Sequence, residues 1–486
     1  MSAPNQPQRA WAPNNTGAAL HRRPSVIAAT AIAAMTMAAN ASAQPTNREH
    51  QHQPDQHQPD QHEHEQPPNQ QHDQPEHDMA MEHGAMSTTL GIPETRDASG
   101  TSWQPDLTPM FMWHWMTGGW SLGLHANVFA GYDSKSSDRG GDKFISINWL
   151  MAMASHPVGS GDLLLRTMLS LEPFTVGKTG YPLLLQTGET LDGAPLHDRQ
   201  HPHDLFMEIA ARYRQPIGDS VGIELYAAPA GEPAIGPPAY AHRFSALANP
   251  LAPLGHHWED STHISFGVLT AGVFTRQLKL EGSWFNGREP DEDRYDLDLR
   301  TPDSFAARLT VNPTADTSAQ ISWARLDSPE ALEPAVSVQR LTASVMWNQS
   351  ARARNVALVG VIGHNAPSMG PSTTAGLGEA ALMLRPEHTV FARAELMSKS
   401  GHDLALPEAM ADQTFGMASF SLGYVYDARW LGDVVPGIGF VATVDAIGAD
   451  LEPFYGTRAP WGGMVFVRLR PPEMSEHGAM SGMHAM

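Results

Sequence analysis

The sequence predicts an all-β chain: one large antiparallel β-barrel of about sixteen strands, closed on itself and flanked by disordered tails. Three observations carry this. Apolar and polar residues alternate with period two in segments of roughly ten to fourteen residues between Trp120 and Arg470. Short connections alternate with long ones along that stretch, and an apolar leader with a small-residue cleavage site stands near the start of the chain.

The leader comes first. His21-Arg22-Arg23, the apolar run Val26 to Ala39 and then Ala41-Ser42-Ala43 read as a secretory signal covering 1–43, with Gln44 as the first mature residue. Roughly fourteen apolar residues fall short of the twenty needed to cross a bilayer as a helix. No later run reaches that length either, which excludes a helical membrane protein. The chain has no Cys, in keeping with passage through an oxidising compartment.

Residues 44–100 form the next segment, a predicted disordered arm of Gln, His, Pro, Asp and Glu with nothing apolar to bury in its first half. Its imidazoles are His50, His52, His57, His62, His64, His72 and His77, ligands suited to copper(II), zinc or nickel. Thioethers follow. Met79, Met81, His83 and Met86 precede the barrel, and His477, Met480, Met483, His484 and Met486 follow it in a tail over 471–486 that also holds Met474. The hexapeptide Glu82 to Ser87 recurs letter for letter as Glu476 to Ser481. Soft sulfur favours copper(I) or silver over zinc, so Met interleaved with His makes copper the first candidate.

Residues 101–119 read as a lead-in, and 120–470 as the barrel. Trp120, Leu122, Leu124, Ala126, Val128, Ala130 and Tyr132 oppose Ser121, Gly123, His125, Asn127 and Gly131. Leu163, Leu165 and Leu169 alternate with Asp162, Arg166 and Ser170; Val390, Ala392, Ala394 and Leu396 with Arg393 and Glu395. Ile264, Phe266, Val268 and Phe274 are read as the apolar face of their segment, against His263, Ser265 and Gly267. One apolar and one polar face per strand fits a lipid-facing wall around a wet lumen. A soluble sandwich or propeller alternates too, but its strands are shorter and its loops less regular. An even strand number places both tails in the periplasm.

Two long connections carry further ligand types: His197, His201 and His203 with Asp198 and Asp204 in one, and His256 and His257 with Glu259 and Asp260 in the other. They fit a metal site at the barrel mouth or a hydrogen-bonded plug equally well. The acidic stretch Glu289 to Arg300 reads as a solvated hairpin tip. No nucleophile elbow accompanies these histidines, so binding rather than catalysis is expected. A net charge of -21 with scattered Arg excludes nucleic acid.

A cleaved leader, a metal-ligand arm and a barrel with Met/His motifs at 79–87 and 474–486 together resemble the copper resistance protein B family. The resemblance implies copper tolerance or sequestration at the outer membrane. The expected cofactor is a copper ion, with silver, zinc or nickel as alternatives and no organic group. Expected partners are outer-membrane lipid, metal ions and periplasmic metal-handling proteins. The alternative is a general channel or solute receptor whose His arm buffers metal.

Overall fold

A computed structural model describes residues 89–260, 264–351, 354–428 and 433–474, all within the unit 78–486. The leader, the arm with its ligands His50 to Met86, and the tail ligands His477 to Met486 lie outside the described residues, as does His263.

Nineteen strands are described. They are β1 (Met112–Thr117), β2 (Trp120–Ser136), β3 (Gly141–Val158), β4 (Gly161–Leu169), β5 (Tyr181–Leu191), β6 (Ala194–Gln200), β7 (Phe206–Ile217), β8 (Val221–Gly231), β9 (Ser265–Phe274) and β10 (Leu278–Phe285). The series continues with β11 (Ser304–Thr314), β12 (Thr317–Asp327), β13 (Ser337–Ala351), β14 (Arg354–Pro367), β15 (Thr373–Arg385), β16 (His388–Ser400), β17 (Thr414–Asp427), β18 (Val435–Ile447) and β19 (Trp461–Arg470).

Sixteen of these close the barrel: β2, β3, β4, then β7 through β19, every neighbouring pair antiparallel. Closure comes from β19 pairing with β2, Val467 opposite Ala130. That leaves no open edge in the circuit, as a sheet in lipid requires. The three remaining strands lie in segments where the alternation was not read. β1 pairs with β2 over Trp120 to His125, on the side of β2 that β19 covers only from Val128 onward. β5 and β6 form a separate hairpin within the connection from β4 to β7.

Burial settles which face is which. Along β12, Ile321 and Trp323 are exposed while Ser318, Gln320 and Ser322 are buried. On β18 and β19, Ile438, Phe440, Val465 and Val467 are exposed and Asp445 and Arg468 buried. Apolar outside and polar inside is the reverse of a soluble sheet, and it is the arrangement of an outer-membrane β-barrel.

One face assignment is overturned. Phe266, Val268 and Phe274 point into the barrel, and Leu269, Ala271 and Val273 are the exposed residues of β9. The inward side chains have apolar partners there: Phe274 meets Trp103 of the lead-in and Ile92 of the segment before it, and Phe266 packs with Ala230 and Ile264.

Much of the lumen is occupied by chain. Residues 231–260 are mostly buried although they form almost no regular structure. Leu251, Leu254 and Trp258 join Leu183, Leu184 and Leu185 of the hairpin in an apolar core against Phe129, Phe391 and Phe466 of the wall. Burying each such side chain contributes about 1.5–3 kcal/mol, which holds a loop inside that polar walls alone would leave solvated. Charged pairs fasten it: Arg243 donates to both oxygens of Glu379 at 3.0 and 3.1 Å, and Arg393 donates to Glu379 Oε1 at 3.1 Å and to Leu251 O at 2.8 Å.

The last residues of the predicted arm, 89–100, are folded rather than disordered, held by buried contacts to the wall, and with the lead-in they close the other end. Asp97 accepts from Arg212 Nη1 at 2.7 Å and from Arg214 Nη1 and Nη2 at 2.9 and 2.7 Å. Farther along, Lys279 donates to Thr101 O, and Asn312 donates to Gln104 O at 2.8 Å. The described chain ends against it, where Met474 N donates to Met110 O at 2.8 Å.

Candidate metal centre

The two histidine-bearing connections converge inside the barrel at its long-loop end. His201 and His203 follow β6 directly, before β7 begins, and His256 and His257 open the four-residue helix His256–Glu259. Ligand nitrogens of His201, His256 and His257 all lie within 4.8 Å of one another, and all three residues are buried. An ion bound by imidazole in tetrahedral geometry would draw such nitrogens to about 3.3 Å, a short adjustment from this arrangement.

Polar neighbours orient each ring, as ligating imidazoles require. His257 Nδ1 is 3.0 Å from Glu289 Oε1, and His256 Nε2 is 3.2 Å from Gln200 Oε1. His201 Nδ1 lies 3.1 Å from Pro202 O and 3.3 Å from Glu189 Oε1. His203 stands next to the trio, its ring centroid 6.3 Å from that of His201, with Nδ1 held by Glu172 Oε2 at 2.8 Å. Acceptor capacity is left over. Glu289 Oε2 and Gln186 Oε1 are buried without a hydrogen-bond partner among the described residues, and such groups are costly unless something else engages them.

Titration favours the ligating form. Burial, reinforced by Arg294 and His257, holds His201 well below the usual imidazole range, and burial with His257 and His201 does the same for His256. Both are therefore neutral at pH 7, with a lone pair to offer. Burial alone would lower His203, but the carboxylate of Glu172 overrides it and raises the group, favouring its protonated form.

The hairpin is forced over this cluster. Gly188, at φ +124, sits where a Cβ would lie 2.4 Å from the His257 ring. Leu185, Glu189 and Asp198 are non-glycine residues with positive φ, at 66, 64 and 56. Each costs about 1–2 kcal/mol, and strain of that kind persists where the surroundings impose it. Here Leu185 N donates to Asp198 Oδ1 at 2.8 Å, Lys399 Nζ donates to Leu185 O at 2.7 Å, and Glu189 is paired with Arg294.

Two expectations are corrected. His197 does not join the centre: its side chain is partly exposed and its Nδ1 pairs with Asp198 Oδ2 at 2.8 Å. The Glu289 to Arg300 stretch is more than a solvated tip, because Glu289 reaches His257 and Arg294 donates to Asp204 at 3.1 Å. Glu172, Glu189 and Gln200 were not singled out in the sequence, and nothing in a single sequence marks them as neighbours of these histidines.

No family model matches the chain, and no curated protein matches it. Among solved structures it is similar to Salmonella typhi OmpF in complex with daunomycin, at 8 % identity and TM-score 0.47, covering 74 % of this chain and 100 % of that one. It is similar also to an anion-selective porin from Comamonas acidovorans (8 %, 0.42, 72 % and 99 %). The outer membrane channel DcaP of Acinetobacter baumannii stands at the same level (8 %, 0.42, 74 % and 98 %). At these scores no function passes from them to this chain; the barrel stands on the strand register and the outward apolar face given above.

Proposed function

We propose that this barrel binds borderline and soft metal ions at the outer membrane, copper foremost, in metal resistance, sequestration or transport. The observation that carries the reading is the buried trio His201, His256 and His257, brought together from two connections and bordered by unsatisfied acceptors. Imidazoles beside carboxylates suit copper(II), zinc or nickel. The Met/His segments at 79–87 and 474–486 extend the range to copper(I) and silver, and the resemblance to the copper resistance protein B family agrees with this reading. A general channel is the weaker alternative, because residues 231–260 and the lead-in fill the lumen.

The test is titration of the full-length protein in detergent with copper(II), zinc and nickel, before and after changing His201, His203, His256 and His257 together to Ala. A loss of one tightly held ion per chain, with the barrel still folded, supports the centre. Unchanged stoichiometry and affinity would make these histidines structural.

A further inference from the structure

A second cluster of ligand atoms lies at the opposite end of the lumen from the histidine centre and uses none of its residues. The run Met110-Phe-Met-Trp-His-Trp-Met116 is a strand pattern, not a linker: Met112, His114 and Met116 line a cavity of roughly 280 Å³, while Trp115 is exposed on the other face. β2 and β3 complete the wall in register. Met112 stands opposite His125 and His125 opposite Met151, and in the adjacent row His114 stands opposite Gly123 and Gly123 opposite Met153.

The contacts go beyond shared lining. His125 Nε2 lies 3.0 Å from Met112 Sδ. Gly123 leaves the space in which the two methionines meet, since a Cβ there would lie 3.1 Å from Met153 Cε and 3.3 Å from Met112 Sδ. Met151 and Trp149 back the group as a buried apolar shell, with Met153 packed against it. Two thioethers and one imidazole in such a shell form a donor set for a soft monovalent ion, and a poor one for hard cations, which need oxygen.

We propose that Met112, His125 and Met153 form a copper(I) or silver(I) site in this vestibule. Thioether side chains have three rotatable bonds, so the sulfurs can open around an ion without moving the wall. The described residues nearest in sequence to the Met/His segments reach the cavity lining. Thr89, two residues after the Glu82 to Ser87 hexapeptide, donates through its backbone to Asp162 Oδ1 at 3.1 Å, and Met474, two residues before its repeat, donates to Met110 O. Asp162 and Met110 both line the cavity.

Silver(I), which keeps its oxidation state, is the probe. The full-length protein in detergent, with Met79, Met81, Met86, Met474, Met480, Met483 and Met486 changed to Leu, is expected to retain one tightly bound silver ion per chain. Adding Met112→Leu and Met153→Leu should remove that ion and leave zinc binding at the histidine centre unchanged. Leu keeps size and apolarity, so the loss reports ligation. Should the double change disturb folding, His125→Gln in the same background is expected to weaken silver binding at least tenfold. X-ray absorption of the copper(I)-loaded protein should show sulfur scatterers. Undiminished silver stoichiometry after both Met changes, undiminished affinity in His125→Gln, or an absorption spectrum with only nitrogen and oxygen neighbours would overturn the proposal.

Discussion

Gly188 crosses the imidazole of His257 so closely that a methyl group in place of its hydrogen would lie 2.5 Å from Nε2. The hairpin β5–β6 thus sets where that ring can sit, and the backbone there, at φ +124, suits only glycine. We expect Gly188→Ala to push the His257 ring out of the trio and lower zinc or copper(II) affinity at least tenfold. The barrel should remain heat-modifiable on gels, because the hairpin is not part of the closed circuit. Affinity equal to the parent's would mean that His257 is not a ligand.

Glu379 is the strongest point of attachment for the plug, accepting from Arg243, Arg393 and Ser245 at once. Removing one partner of a buried charge network costs about 3–5 kcal/mol. Glu379→Ala leaves Arg393 without its carboxylate and Arg243 with only Asp260 at 3.3 Å, whereas Arg243→Ala leaves Glu379 still paired with Arg393. In planar bilayers the parent should pass little current, Glu379→Ala should open measurable conductance, and Arg243→Ala should fall between them. A parent as conductive as an open porin would contradict the filled lumen.

Much of the barrel was legible because two periodicities coincide in it. The outward row Trp120 to Tyr132 and the inward Arg393 and Glu395 could be assigned from alternation alone. β9 failed for a physical reason: Phe266, Val268 and Phe274 are apolar yet face inward, since the lead-in and plug supply apolar surface inside the lumen. Alternation reports polarity, not direction, so a filled lumen inverts it locally. β1 escaped notice because it contributes soft ligands on one face and Trp on the other, which looks irregular when Met is counted simply as apolar. The histidine centre was half legible. Its imidazoles were visible in the sequence, but their meeting depends on a long-range closure between residues 201 and 256 that no local pattern encodes.

The lead-in should undock with rising pH. Burial, with the neighbouring Asp97, pushes Glu94 from 4.5 up to about 7. A carboxyl raised in the folded state stabilises docking fully below its unfolded value, and that contribution is lost as pH rises from about 4.5 through about 7. Asp97 works in the opposite sense. Burial alone would raise it, but Arg212 and Arg214 hold it well below the usual carboxylate range, so its contribution is lost only in strong acid. Hydrogen exchange at residues 94–104 should therefore be slower at pH 5 than at pH 7.5 after correction for intrinsic rates. Glu94→Gln should flatten the difference; a profile unchanged by that substitution would assign the effect elsewhere.

The outward face sets a membrane prediction. Leu280 is 60 % exposed on β10, while its neighbour Glu281 is buried against Lys279 and Arg308. A cationic residue on the lipid face costs up to about 2–4 kcal/mol at the bilayer midplane and less toward the interface, and Leu280 is the third residue of β10. Leu280→Arg should thus lower folding yield into lipid vesicles, while Leu280→Phe should not. The parent should fractionate with outer membranes, and recovery in the soluble periplasmic fraction would end the barrel reading.

The two kinds of ligand in the sequence outside the barrel can be separated by metal oxidation state. Imidazoles over 44–78 favour copper(II), zinc or nickel, and the thioethers around the repeated hexapeptides favour copper(I) and silver. Deleting 44–78 should weaken copper(II) binding and spare copper(I). Changing Met79, Met81, Met86, Met474, Met480, Met483 and Met486 to Leu should do the reverse, leaving only the ion that the vestibule at Met112 and Met153 retains. Cells carrying that Leu variant should tolerate silver less well than cells carrying the parent, because fewer sites remain to hold the ion outside the cytoplasm. Equal copper(I) affinity and stoichiometry in the two proteins, with equal tolerance of both metals, would remove these methionines as ligands and with them the reason to place copper first.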